Sequence, residues 1–66
     1  MNIYLNGERR EVPDHGSLAA LLADAGYADR RVAVEINREI VPRSLHAERL
    51  LQADDRVEIV HAIGGG

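Results

Sequence analysis

The hydrophobic positions of this 66-residue chain change period twice, and the changes divide it into elements. Met1, Ile3 and Leu5 alternate with Asn2 and Tyr4, the period of two that a half-buried strand requires. Asn6-Gly7 follows, and because a type I′ turn needs positive φ at both central residues, the pair predicts a tight hairpin. Glu8 to Val12 is then a returning strand, polar enough to be an edge, and Pro13 closes it because it has no N–H to give a ladder.

The period then lengthens. Asp14-His15-Gly16 reads as a turn and Ser17 as the N-cap of a helix, in which Leu18, Leu21, Leu22 and Ala25 fall at i, i+3, i+4 and i+7 and form one apolar stripe. Gly26 is placed to end it in the left-handed conformation, giving a helix of about two and a half turns. Alternation returns with Val32, Val34 and Ile36 facing inward between Ala33 and Glu35. Asn37-Arg38 predicts a tight turn, Glu39-Ile40-Val41 a brief fourth strand stopped by Pro42, and Ser44 the cap of a single helical turn through His46 and Ala47, with Leu45 and Leu50 or Leu51 turned inward. Asp54-Asp55 is a polar turn before the last strand, where Val57 and Ile59 face the core and Glu58 and Val60 face away.

Strand, strand, helix, strand, strand, strand, with helix on one face only, is an α+β arrangement. The long connection through the helix allows the last strand to lie beside the first, in the middle of the sheet. Residues 1–63 are expected to form one domain and residues 64–66 a flexible glycine tail.

Composition narrows the function. Eleven acidic residues against eight basic ones give a net charge of -3, which argues against nucleic acid as the main partner, and Arg30-Arg31 is too short for a basic patch. All eight basic residues are arginine, so the body offers no lysine amine as an acceptor for an isopeptide bond. With no cysteine there is no disulfide framework, thiolate metal site or thiol nucleophile. No apolar run approaches the roughly 20 residues of a membrane span, and Met1 to Leu5 lacks the features of a signal peptide; the expected compartment is the cytoplasm.

The stretch Val57-Glu58-Ile59-Val60-His61-Ala62-Ile63-Gly64-Gly65-Gly66 carries the candidate chemistry. Glycines at a terminus add no packing and lose the most backbone entropy on ordering. They offer a chain without Cβ atoms that can enter a narrow slot, tipped by a carboxylate. Three residues reach at most roughly 10 Å, enough to place that carboxylate inside another protein.

This element order with a C-terminal diglycine resembles the β-grasp, or ubiquitin-like, fold: a mixed five-stranded sheet with one main helix on one face, in the order ββαβββ. Within it, the block Ile36-Asn37-Arg38-Glu39-Ile40-Val41-Pro42-Arg43 and the ending Val57 to Gly66 resemble the ThiS family, the sulfur carriers of thiamine biosynthesis. Gly64 stands where other members can carry a side chain, so Gly65-Gly66 is the matched pair. The resemblance implies a carrier rather than an enzyme. A ThiF-type, ubiquitin-activating-like adenylyltransferase using ATP and Mg2+ would adenylate the Gly66 carboxylate. Sulfur from a donor such as a cysteine desulfurase would replace AMP to leave a thiocarboxylate, and a ThiG-type thiazole synthase would consume it. Gly64, Gly65 and Gly66 would enter the partners' active sites. The residues agree with this chemistry: a terminal carboxylate, with pKa about 3.3–3.7, is ionised and a poor electrophile, the chain has no phosphate loop to activate it, and a thiocarboxylate carries sulfur without cysteine.

Other readings are weaker. His15, His46 and His61 match no metal-ligand spacing, and no metal site is expected. His61, near the terminus, reads as a strand histidine or as a partner contact. Glu35 or Asp54-Asp55 as catalytic carboxylates would need a cleft that 66 residues can hardly build, and Arg38 and Arg43 read as solvated. Tyr4 and Val60 should share the helix-free face if the first and last strands are neighbours and, with Ile63, are candidates for partner docking. The rival functions are sulfur supply for molybdopterin, tRNA thiolation or an amino acid; a ubiquitin-like modifier forming isopeptide bonds; and a regulatory binding module whose tail is incidental.

Overall fold

The hairpin at the start of the chain forms as its turn chemistry dictates. Strand β1 (Asn2–Leu5) and strand β2 (Glu8–Glu11) pair antiparallel with Leu5 opposite Glu8, and the intervening Asn6 and Gly7 have φ of 52° and 84°, the positive pair of a type I′ turn. The computed structural model describes residues 1–28 and 30–61. Val12 lies just past β2 but stays in register, its N–H donating to the Met1 carbonyl at 2.8 Å, and its side chain is buried.

Helix α1 (Leu18–Asp24) begins at Ser17, whose Oγ accepts from the Ala20 N–H at 3.0 Å. Two further N–H groups at this end, which have no partner within a helix, are met by a segment distant in sequence: Leu18 donates to the Arg49 carbonyl and Ala19 to the His46 carbonyl, at 2.8 and 2.9 Å. The helix is about two turns, shorter than the apolar stripe suggested. Leu18, Leu21 and Leu22 are buried, whereas Ala25 is only half-buried and serves as the C-cap ahead of Gly26 at φ 92°.

Strand β3 (Val32–Ile36) and strand β4 (Glu39–Ile40) make a second hairpin across Asn37-Arg38, whose φ values of 52° and 71° again define a type I′ turn. Val41 continues that ladder by one bond to the Val34 carbonyl before Pro42 ends it. The single helical turn differs from expectation. It is a 3-10 turn (Arg43–Leu45) starting at Pro42 with no side-chain cap, so Ser44 lies inside it rather than capping it. Pro42 stands just before the turn with φ -57° and ψ 147°, a position its fixed φ suits. Leu45 is exposed and His46 turns inward in its place, whereas of the pair Leu50 and Leu51 it is Leu51 that is buried, one of the two expected outcomes.

Strand β5 (Arg56–His61) closes the sheet. The strand order is β2-β1-β5-β3-β4, with β5 parallel to β1 and antiparallel to β3. The expected placement of the last strand beside the first is therefore observed, and the fold is α+β with α1 over one face of a mixed five-stranded sheet. Ile3, Leu18, Val34 and Val57 are fully buried at its centre, each contributing on the order of 1.5–3 kcal/mol relative to exposure. Among the described residues no helix is long and apolar enough to cross a membrane.

Replacing Asn6 with glycine keeps the positive φ but removes the side-chain oxygen that accepts from the Ile59 N–H at 2.8 Å. We expect a loss of about 1 kcal/mol, read as a fall in melting temperature of about 4–8 °C. Asn6→Ala, which adds left-handed strain, should fall further.

Candidate functional site

The site is the end of β5 and the sheet that carries it. Two asparagines grip this strand from opposite sides. On the β1 side, the Asn6 N–H donates to the Val57 carbonyl at 2.9 Å and its Oδ1 accepts from the Ile59 N–H. On the β3 side, the Asn37 N–H donates to the Arg56 carbonyl at 2.8 Å and its Oδ1 accepts from the Arg56 N–H at 3.0 Å. Each is the first residue of a type I′ turn with φ 52°. The conformation that suits asparagine to the turn thus also directs its amide at the neighbouring strand.

At the foot of β5, Asp55 is buried rather than part of a solvated turn. Its carboxylate accepts from the Gln52 N–H at 2.9 Å and from Asn37 Nδ2 at 3.0 Å, and the Arg49 guanidinium lies 3.7 Å away. A buried carboxylate is tolerated when it is paired in this way. Asp54 takes the positive φ, 69°, that the bend before the strand requires.

The face of the sheet away from α1 carries the side chains that alternate with the core. Tyr4 is half-buried there, with the Arg56 guanidinium 5.5 Å from its ring centroid, within the range of a cation–π contact. Val60 is 51% exposed and lies opposite Ala33. Tyr4 and Val60 therefore share the helix-free face on neighbouring strands, but Tyr4 is registered with Arg56, four residues before Val60, a separation of roughly 13 Å. Glu58 lies between them and faces Glu35 across the ladder, a like-charge pair. They are two spots separated by a negative row. Ile63, Gly64, Gly65 and Gly66 lie outside the described residues.

Among the described residues no group of three His, Cys, Asp or Glu side chains could hold a metal ion. His46, one of the three histidines, is buried and its Nε2 is 3.0 Å from the Val41 carbonyl oxygen. A carbonyl only accepts, so Nε2 carries the hydrogen and the ring fastens the 3-10 turn to β4. His15 sits at φ 63° in the turn before α1. Catalytic use of Glu35 or Asp55 has no support in this geometry: Glu35 lies on the open sheet face and Asp55 is fully occupied by its donors.

The ThiS family model matches residues 3–66. The chain belongs to the ThiS family. It is 40% identical over 65 residues to the sulfur carrier protein ThiS of Bacillus subtilis, covering 97% of this chain and 98% of that protein. The crystal structure of the thiamine biosynthesis protein ThiS from Geobacter metallireducens superposes with a TM-score of 0.86 at 29% identity, each chain covered over 100% of its length. The thiazole synthase of Magnetococcus marinus is 44% identical over 66 residues, and there the chain spans only 20% of the relative's length. The β-grasp expectation and the family resemblance both hold. What the residue pattern missed were the roles of Asn6, Asn37 and Asp55. The only signal for the first two was the turn itself, and Asp55 was indistinguishable from its exposed neighbour Asp54.

Asp55→Ala would leave the Gln52 N–H and Asn37 Nδ2 without their acceptor inside the fold. An expected loss of about 2 kcal/mol should appear as a lower urea midpoint with unchanged slope, whereas Asp54→Gly should be close to neutral.

Proposed function

We propose that the protein is a sulfur carrier of thiamine biosynthesis, acting as a co-substrate and not as an enzyme. Its Gly66 carboxylate attacks the α-phosphorus of ATP on a ThiF-type adenylyltransferase that holds Mg2+, releasing pyrophosphate. The acyl adenylate is then attacked by a persulfide sulfur and AMP leaves; a thiol breaks the S–S bond of the acyl persulfide, forming a disulfide and releasing the thiocarboxylate, which gives its sulfur to a ThiG-type thiazole synthase. A cysteine desulfurase is a suitable sulfur source. The observation that carries the reading is family membership across residues 3–66 together with a sheet whose central strand, β5, ends at His61, shortly before Gly64-Gly65-Gly66 in the sequence. The match to a thiazole synthase over a fifth of that protein's length supports the consuming partner.

The division of labour follows from the residues. The body supplies a rigid strand and a side-chain-free end; ATP, metal and sulfur chemistry belong to the partners. On this reading Val60 and Ile63, beside the tail, contact the partner, and Tyr4 forms a second contact near the foot of β5. The same activation chemistry would serve carriers for molybdopterin, tRNA thiolation or an amino acid, and the match to the Bacillus subtilis carrier favours thiamine.

Incubation with the adenylyltransferase, ATP and Mg2+ should give pyrophosphate release that is abolished by Gly66→Val while the far-UV spectrum of the carrier is unchanged. After sulfur loading, intact mass should rise by about 16 Da, the difference between sulfur and oxygen. Adducts larger by a whole target protein would instead indicate a modifier, and normal adenylation of Gly66→Val would refute the scheme. Val60→Asp should fold and slow adenylation, about tenfold for a charge placed in a docking contact; an unchanged rate would remove Val60 from the interface.

A further inference from the structure

The hydrogen-bond pattern along β5 leaves one particular stretch of sheet edge open, and its chemistry specifies what can fill it. Backbone groups alternate sides along a strand. The Arg56 carbonyl accepts from Asn37 on the β3 side, whereas the Val57 carbonyl and the Ile59 N–H are taken by Asn6 on the β1 side. By the same alternation the Ile59 carbonyl and the His61 N–H point to the β1 side. There β1 has already ended: its pairing with β5 stops at Leu5 opposite Val57, and Asn6-Gly7 turns the chain away into β2. Among the described residues no strand lies beside β5 on that edge beyond Val57. On its other side β5 remains paired with β3 as far as His61 opposite Val32.

Asn6 also decides the direction of any strand that enters. In a parallel ladder one residue donates its N–H to residue i and accepts, through its carbonyl, from residue i+2. Asn6 does this with its own N–H to Val57 and its side-chain Oδ1 from Ile59, so that the amide stands in for a backbone carbonyl. The next unit of the same ladder is Ile59 C=O and His61 N–H. An antiparallel strand pairing at Ile59 would need the Ile59 N–H, which Asn6 already occupies. A strand pairing antiparallel at His61 would bring its next bonded residue opposite Ile59, where its N–H could reach the Ile59 carbonyl but its own carbonyl would face an N–H already taken by Asn6, leaving an unpaired acceptor.

We propose that the protein receiving the tail adds an extended segment to this edge, parallel to β5, with one residue donating its N–H to the Ile59 carbonyl and accepting from the His61 N–H. This deepens the carrier reading and rests on it. Strand addition of this kind draws affinity from main-chain bonds, so it grips the carrier immediately before the glycine tail without depending on the side chain at position 61. A recess lined by Tyr4, Gly7, Arg56, Val57 and Glu58 borders the same end of β1, leaving room for the segment to approach.

Proline scanning separates the two edges of the strand. His61→Pro deletes an N–H on the open side, where proline is tolerated, whereas Val60→Pro deletes one used in the ladder to β3. We expect His61→Pro to melt within a few degrees of His61→Ala, and Val60→Pro to melt far lower. Binding to a purified ThiF-type adenylyltransferase should be the same for His61→Ala and the unmodified carrier and about 3- to 10-fold weaker for His61→Pro, as for the loss of one hydrogen bond. Independently of any variant, the His61 amide should exchange with deuterium at least tenfold more slowly in the complex than in the free carrier. The proposal is overturned by equal affinity of His61→Pro and His61→Ala, by an exchange rate unchanged on binding, or by a His61→Pro protein as unstable as Val60→Pro. If the unmodified carrier shows no Gly66-dependent pyrophosphate release, the carrier reading falls and takes this proposal with it. Intact release with indistinguishable position-61 variants removes the edge proposal alone.

Discussion

The structure depends on the insertion of β5 between β1 and β3. At the sheet's centre β5 is paired with β3 as far as His61 and with β1 as far as Val57, and one face lies under the helix, so its core residues Val57 and Ile59 join Ile3 and Val34 from neighbouring strands and Leu18, Leu21 and Leu22 from α1 in one cluster. The last strand of the chain is thus held from both sides, although strands at chain ends are often the least restrained part of a domain. On the carrier reading proposed above this is the useful arrangement, because the core then sets where β5 ends, at His61.

The central strand is held by polar groups as well as by packing. Asn6 and Asn37 each occupy the first position of a type I′ turn and each supply an N–H and a side-chain oxygen to β5. Two hairpins that are local in sequence are tied in this way to a strand that is remote from both. Asp55 completes the set at the foot of the strand by accepting from Asn37 Nδ2, so that one side chain serves both the turn of the second hairpin and the start of β5. These bonds are directional where hydrophobic contact is not, and they specify the register of β5 against its neighbours.

A unit that carries its own core can work alone or within a longer chain. Nearly the whole length of the Bacillus subtilis carrier is covered by this sequence, whereas only a fifth of the Magnetococcus marinus thiazole synthase is. The core residues among those described lie between Ile3 and Ile59, and none of the described packing requires a neighbouring domain.

Most of the architecture was legible in the residue pattern because its causes are local. The period of two in Met1–Leu5 and Val32–Ile36, the leucine stripe after Ser17, and Asn-Gly at the first turn each act within a few residues, and each formed as expected. The family, too, was legible, from the Ile36–Arg43 block and the ending. What only the tertiary structure decided were the partners of particular polar side chains. Whether Leu45 or His46 turned inward depended on the Val41 carbonyl being in reach. The burial of Asp55 beside an exposed Asp54 depended on Asn37, eighteen residues earlier in the chain. The second role of Asn6 depended on Ile59, fifty-three residues away. Periodicity and turn preference are set by a residue's immediate neighbours, whereas a buried hydrogen bond between distant residues exists only once the strands that carry them have been brought side by side.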